Sequence, residues 1–111
     1  MAKFMVLYLS SVIAQDQMTD ASPEQAQKGL AMWLRWAERA GSAVVDLGSP
    51  LGRSRLVPTG AAAETGTPIA EFSVLEADSA DDVVKLLDDH PHLQMPGAVI
   101  EVLEYLQIPG M

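Results

Sequence analysis

The chain of 111 residues contains no cysteine, which excludes a disulfide framework, a thiol nucleophile and a thiolate metal site. A reducing, cytoplasmic setting is expected. Basic side chains are scarce, 7 Lys and Arg against 15 Asp and Glu, for a formal net charge of −8. Nucleic acids and anionic membrane surfaces are gripped mainly by Lys and Arg, so neither is an expected partner. Long apolar runs are also missing. Phe4 to Ala14 spans 11 residues, follows a single Lys and lacks a cleavage region; it reads as a strand, not as a targeting or membrane segment. Gly48, Gly52, Gly60 and Gly66 follow no phosphate-loop spacing, and no GxSxG, HExxH or GxGxxG occurs. Hydrolase, metalloprotease and dinucleotide-binding readings therefore have no support.

What is present, 49% hydrophobic and 20% charged residues, suits one compact domain over 1–111. Residues 1–70 balance six acids with six bases, whereas 71–111 carry nine acids and only Lys85. Most of that acidic excess flanks one helical stretch and reads as a solvated face.

Lys3 to Ser11 alternates Phe4, Val6, Tyr8, Ser10 with Met5, Leu7, Leu9; a strand apolar on both sides belongs mid-sheet with something packed on each face. Ser22-Pro23-Glu24-Gln25 opens a helix, with Ser22 as cap, Pro23 in the first turn and Gln25 reaching back. Ala26, Leu30, Trp33, Leu34 and Ala37 recur at helical spacing until Gly41. Ser42–Leu47 is a second strand, and a long Gly/Pro/Ala/Thr-rich connection over 48–68 follows, with Arg53–Val57 as a candidate strand extension. Ile69–Ala77 is a third strand, Asp78–Ser79 starts a second helix stopped by Pro91, and Ala98–Leu106 is a fourth strand.

The order strand, helix, strand, strand, helix, strand gives an α+β, ferredoxin-like split βαβ fold: a four-stranded antiparallel sheet with two helices on one face. SAVVDL after the first helix echoes GAVIEV after the second, as a duplicated unit would. Two helices cover one sheet face only. The apolar sets Met5, Leu7, Leu9 and Val99, Leu103, Tyr105 need cover on the other, which a homodimer joined sheet to sheet supplies.

KFMVLYLSS, MWLRWAERAG leading into VVDLGSPL, IAEFSVLEADSADDVVKLL, HPHL and AVIEVLEYL together resemble the YCII-related (DGPF-type) family of dimeric α+β barrels over nearly the whole chain. The DGPF signature itself is not recognisable in TGAAAETGTP. Some members carry a proposed His-Asp pair with the His on or just before the first helix, but 22–41 contains no His, so that dyad does not transfer. The family's Cys-Pro-His-Leu segment corresponds to His90-Pro91-His92-Leu93, and His92 transfers by position. The resemblance implies chemistry of the cofactor-independent isomerase or lyase type on a small cyclic or aromatic metabolite; fold alone assigns none.

The split topology brings the loops after the first strand, in the hairpin and after the second helix to one end of the sheet. Ser10, Ser11, Asp46, Arg53, Arg55, His90 and His92 are expected there, beside a gap that fits a small apolar or aromatic ligand. His92 is the candidate acid/base and Asp46 its orienter; the bland alternative is a helix cap or surface residue. His90, at a helix C-terminus, reads as a solvated imidazolium favoured by the dipole. His-Pro-His lacks further neutral or thiolate ligands for zinc or iron, so no metal is expected, and the resemblance implies no organic cofactor. Arg53 and Arg55, two apart, can hold an anionic ligand or pair with acids. Trp33 fits the core stripe, while Trp36 lies toward its edge, lining a pocket or the dimer seam. A non-catalytic ligand-binding or accessory module is the competing function.

Overall fold

The computed structural model describes residues 1–59 and 68–111, apart from the side chain of Gln15. In chain order the elements are β1 (Ala2–Leu9), α1 (Ala14–Asp20), α2 (Pro23–Ala40), β2 (Val44–Pro50), β3 (Ile69–Ala77), α3 (Ala80–Leu87) and β4 (Val99–Glu104). The sheet order is β2-β3-β1-β4 and every pairing is antiparallel. This is the ferredoxin-like α+β arrangement expected from the strand and helix order. Gly60–Thr67, the middle of the expected hairpin connection, lies outside the described residues.

Register decides which side chains meet. Phe4, Val6 and Tyr8 of β1 stand opposite Leu75, Ser73 and Glu71 of β3, and opposite Glu104, Val102 and Ile100 of β4. On this side Phe4, Val6, Tyr8, Leu75, Val83 and Leu87 close around Trp36 as the core. Each such side chain contributes roughly 1.5–3 kcal/mol by leaving water. Met5, Leu7 and Leu9 point the other way with Phe72, Val74, Val99 and Leu103, and Val99 and Leu103 are exposed. One sheet face is thus covered by helices and the other is an apolar surface open to solvent.

α2 starts as its sequence dictates. Ser22 Oγ accepts from the Gln25 N–H while the Gln25 side chain accepts from the Ser22 N–H, satisfying donors that the first turn leaves free. Its buried arc differs from the expected stripe. Trp36 is 1% exposed, but Leu30 and Leu34 are 60% and 51% exposed, a rotation of roughly 60° about the helix axis. The cause is α3, beside which α2 must also pack: the Trp36 indole N–H donates to the Leu86 carbonyl at 2.8 Å.

Two further departures lie near the sheet end. α1 has no periodic apolar face, only Ala14 being buried among its described side chains, so hydrophobic spacing does not reveal it. It forms because Gln17 reaches back, its amide donating to the Val12 carbonyl (2.6 Å) and to Ser10 Oγ (3.4 Å). The proposed extension over Arg53–Val57 does not form; β2 ends at Pro50. The helix start expected at Asp78–Ser79 is present, with Ser79 as its cap, its Oγ accepting from the Asp82 N–H.

Candidate functional site

Tyr8, near the end of β1, is fully buried and is the centre of an aromatic cluster. Its ring lies 4.8 Å from Trp33, 4.8 Å from His90 and 5.5 Å from His92, centroid to centroid. His90 also contacts Trp33 (4.4 Å) and Trp36 (4.5 Å), both edge-on. The Tyr8 hydroxyl donates to Ser73 Oγ (3.1 Å), and Ser73 donates to the Leu47 carbonyl (2.6 Å). Burial above all, with the neighbouring Glu71 charge, pushes the phenol up to about 12 against the opposing Ser73 hydrogen bond. It stays protonated near neutral pH.

His92 follows Pro91 in a short 3₁₀ turn, Pro91–Gln94, and is 5% exposed. Its Nε2 is 2.8 Å from the Leu9 carbonyl oxygen. A carbonyl only accepts, so Nε2 carries a proton in this contact and Nδ1 is the ring nitrogen left for other partners. The backbone of Leu9 thus does the orienting expected of Asp46. Asp46 is elsewhere: it pairs with Val74, which is level with Met5. That is two strands and four residues from Leu9, roughly 16 Å by sheet geometry. Its Oδ1 accepts from the Gly48 N–H at 2.8 Å, closing a bulge in β2. Gly48 has φ +83°, and a Cβ there would fall 1.6 Å from the Phe72 carbonyl oxygen.

His90 corrects a second expectation. It is 1% exposed, not a solvated imidazolium, because the residue caps the turn that follows: its Nδ1 accepts from the His92 N–H at 3.0 Å. Burial, reinforced by the proximity of His92, lowers it to about 3, so the ring is neutral and Nε2 bears its proton. That Nε2 finds no hydrogen-bond partner among the described residues; the ring packs among those of Tyr8, Trp33 and Trp36.

The remaining expected residues are placed as follows. Ser10 is buried at the β1 end, its Oγ accepting from the Val12 N–H (3.2 Å) and the Gln17 amide. Arg53 pairs with Asp16 of α1 at 2.9 Å, and Arg55 is exposed. Trp36 fills the core beside α3 and is not among the residues lining the cavity next to α1. Trp33, half-buried against Tyr8 and His90, takes the position expected of Trp36. Ser10, His92 and Arg53 therefore share the sheet end, where Ser10 also bonds Pro68 and Leu51 bonds Ala70, and Asp46 does not. A cavity of about 320 Å³ between α1 and the end of β2 is lined by Met18, Ser49, Pro50, Leu51 and Gly52, the lower end of small-molecule site sizes. Among the described residues no cluster of three or more His, Asp or Glu could hold a metal ion, and no helix is long and apolar enough to cross a membrane.

Glu71 is the residue that sequence reasoning passed over. It is half-buried on the helix side of β3, opposite Tyr8 and paired through β2 with Pro50 of the cavity wall. Burial raises its carboxyl to about 7. The signal was its place in the alternating set Glu71, Ser73, Leu75, whose more polar side turns inward here. Glu71 and His92 both lie beside the Tyr8 ring, and none of the three lines the cavity next to α1.

No protein-family model matches the chain, and no curated protein matches it. Among solved structures it is similar to the 5-chloro-2-hydroxyhydroquinone dehydrochlorinase of Burkholderia phenoliruptrix in complex with 2,5-dihydroxybenzoquinone. That match has 18% identity over 89% of this chain and 90% of that one, with a TM-score of 0.49.

Proposed function

We propose that this chain is a YCII-type dimeric α+β-barrel protein that performs cofactor-independent acid/base chemistry, of the isomerase or lyase type, on a small cyclic or aromatic molecule. The observation that carries this reading is His92 held by the Leu9 carbonyl at 2.8 Å beside Tyr8, with Glu71 on the other side of that ring in the sheet register. His92 Nδ1 is the base, Glu71 the second proton-exchanging group, and Arg53 and Arg55 are the cations of this sheet end for an anionic substituent. Homodimer formation through the open face of Met5, Leu7, Leu9 and Leu103 belongs to the same reading.

One observation favours the competing role of a non-catalytic binding module. The carboxylate expected to orient His92, Asp46, is engaged with Gly48, and the backbone carbonyl in its place stabilises an imidazolium less than a carboxylate does. The two roles separate with His92→Gln, whose amide N–H can still reach the Leu9 carbonyl but which cannot titrate. Chemical-shift titration with 4-hydroxybenzoate and catechol, and proton–deuterium exchange at their ring carbons, are the readouts. Catalysis predicts retained binding with exchange lost in the variant. Binding without exchange in the wild-type protein favours the module, and no binding of any simple phenol or aromatic acid refutes both.

A further inference from the structure

β4 is an edge strand, and its hydrogen-bonding pattern shows which groups it leaves open. The Tyr105 N–H donates to the Lys3 carbonyl at 2.9 Å, so Tyr105 and, by alternation, Leu103, Glu101 and Val99 are the residues bonded to β1. Ile100, Val102 and Glu104 turn their N–H and C=O groups outward. Along this edge, between β4 and α3, runs a groove of about 310 Å³ walled by Val84, Leu87, Leu93, Ala98, Ile100 and Val102. Beyond β4 the chain continues as YLQIPGM, without charged side chains, and Leu106 and Ile108 are 84% and 61% exposed.

We propose that this edge and groove receive the same segment of a second copy: β4 pairs antiparallel with β4 about a twofold axis at Val102, and Leu106 of each copy enters the groove of the other beside Ala98. Three features of the chain select this occupant and this register. Antiparallel self-pairing satisfies the outward groups of Ile100, Val102 and Glu104 with their own counterparts. A twofold at Glu101 or Glu104 would set a carboxylate against itself, whereas a twofold at Val102 places Glu101 against Leu103 and Glu104 against Ile100. Leu106 then falls opposite Ala98, on the helix side of the sheet, where the smallest wall residue leaves the groove open.

Stable interfaces bury roughly 30–40 Å² per residue per side, so the dozen or so residues engaged here from each copy bury roughly 700–950 Å² in total. That lies just under the size of a stable interface, so the pairing is weak and concentration-dependent. It uses a different surface from the open sheet face and stands whether or not the functional reading does.

The absence of cysteine makes the test clean. Ala98→Cys protein is mixed with Leu106→Cys protein in a glutathione redox buffer, and the species are resolved by mass; residues directly opposite in antiparallel chains have Cα atoms within disulfide reach. A mixed disulfide dimer well above that formed between Ala98→Cys and a Glu38→Cys control on α2 supports the proposal, and equal yields overturn it. The double variant closing within one chain overturns it too, because the groove then holds the chain's own tail. Amide exchange of unmodified protein is the second readout. Ile100 and Val102 amides should exchange about tenfold more slowly at high than at low protein concentration. Concentration-independent exchange at those two amides would refute the seam, even where light scattering reports a dimer made through the sheet face. Protection at one concentration only after adding a foreign β-strand peptide would assign the edge to a different partner and also overturn it.

Discussion

Trp36→Ala tests how α2 packs, because the helix rotation reverses the relative weight of the two tryptophans. Trp36 is 1% exposed, and its N–H is bonded to the Leu86 carbonyl at 2.8 Å. Truncation removes a whole indole from a packed interior, which costs about 3–5 kcal/mol through lost burial and residual cavity. It also strips the Leu86 carbonyl of its donor, worth about 1 kcal/mol or more where water does not replace it. Trp33 is half-buried and makes ring contacts with Tyr8 and His90 only at its edge of the core. Its truncation should cost about half as much. A domain of this size has a stability of about 5–15 kcal/mol, so Trp36→Ala removes a large share of it. At about 1–3 kcal/mol per molar urea, the unfolding midpoint should fall by roughly 2 M for Trp36→Ala and by about 1 M for Trp33→Ala. Far-UV circular dichroism is the suitable probe, since each variant alters the fluorescence itself. Trp36→Phe should fall between wild type and Trp36→Ala, retaining most of the ring volume but not the N–H. Equal losses at the two positions, or a larger loss at Trp33, would show that the helix face is assigned wrongly.

Burial holds Glu71 near 7 against 4.5 for a free carboxyl, so its stabilising share is complete below pH 4.5 and is lost as pH rises through 7. Glu71→Gln should therefore match wild type at pH 4 and exceed it by about 1 kcal/mol at pH 8 after allowing for its partial solvent access, and a pH-independent difference in urea midpoint would refute the assignment. His90 has the opposite sign: its contribution is present above 6.5 and is lost as pH falls through about 3, so the stability gap between wild type and His90→Phe should shift steadily over that window, and a constant gap would show that His90 is not held neutral. Gly48→Ala forces a Cβ onto the Phe72 carbonyl at a positive φ and should cost about 2 kcal/mol or more, with faster amide exchange where β2 pairs with β3; a change within about 0.5 kcal/mol would mean the bulge adjusts freely.

Local chemistry was enough to place most elements. The Ser22-Pro23-Gln25 start of α2, the Ser79 cap of α3 and the alternation of β1 and β3 each involve residues a few positions apart, whose preferences act before any tertiary contact forms. Element order then restricts the topology to a split βαβ sheet, and the two-sided apolar pattern of β1 anticipates a sheet face left open by the helices. The spacing of such signals does not reach across the fold. His90 reads as a helix-end cation because nothing nearby in sequence shows that Tyr8, Trp33 and Trp36 will surround it; desolvation by residues more than 50 positions away decides its charge. Asp46 and His92 are both plausible partners by type, yet strand register sets them two strands apart, and a backbone carbonyl, which no sequence motif records, takes the carboxylate's place. Glu71 looks like the solvent side of β3 until its register with Tyr8 turns it inward, and only the packing of α3 against α2 determines which tryptophan is the keystone of the core.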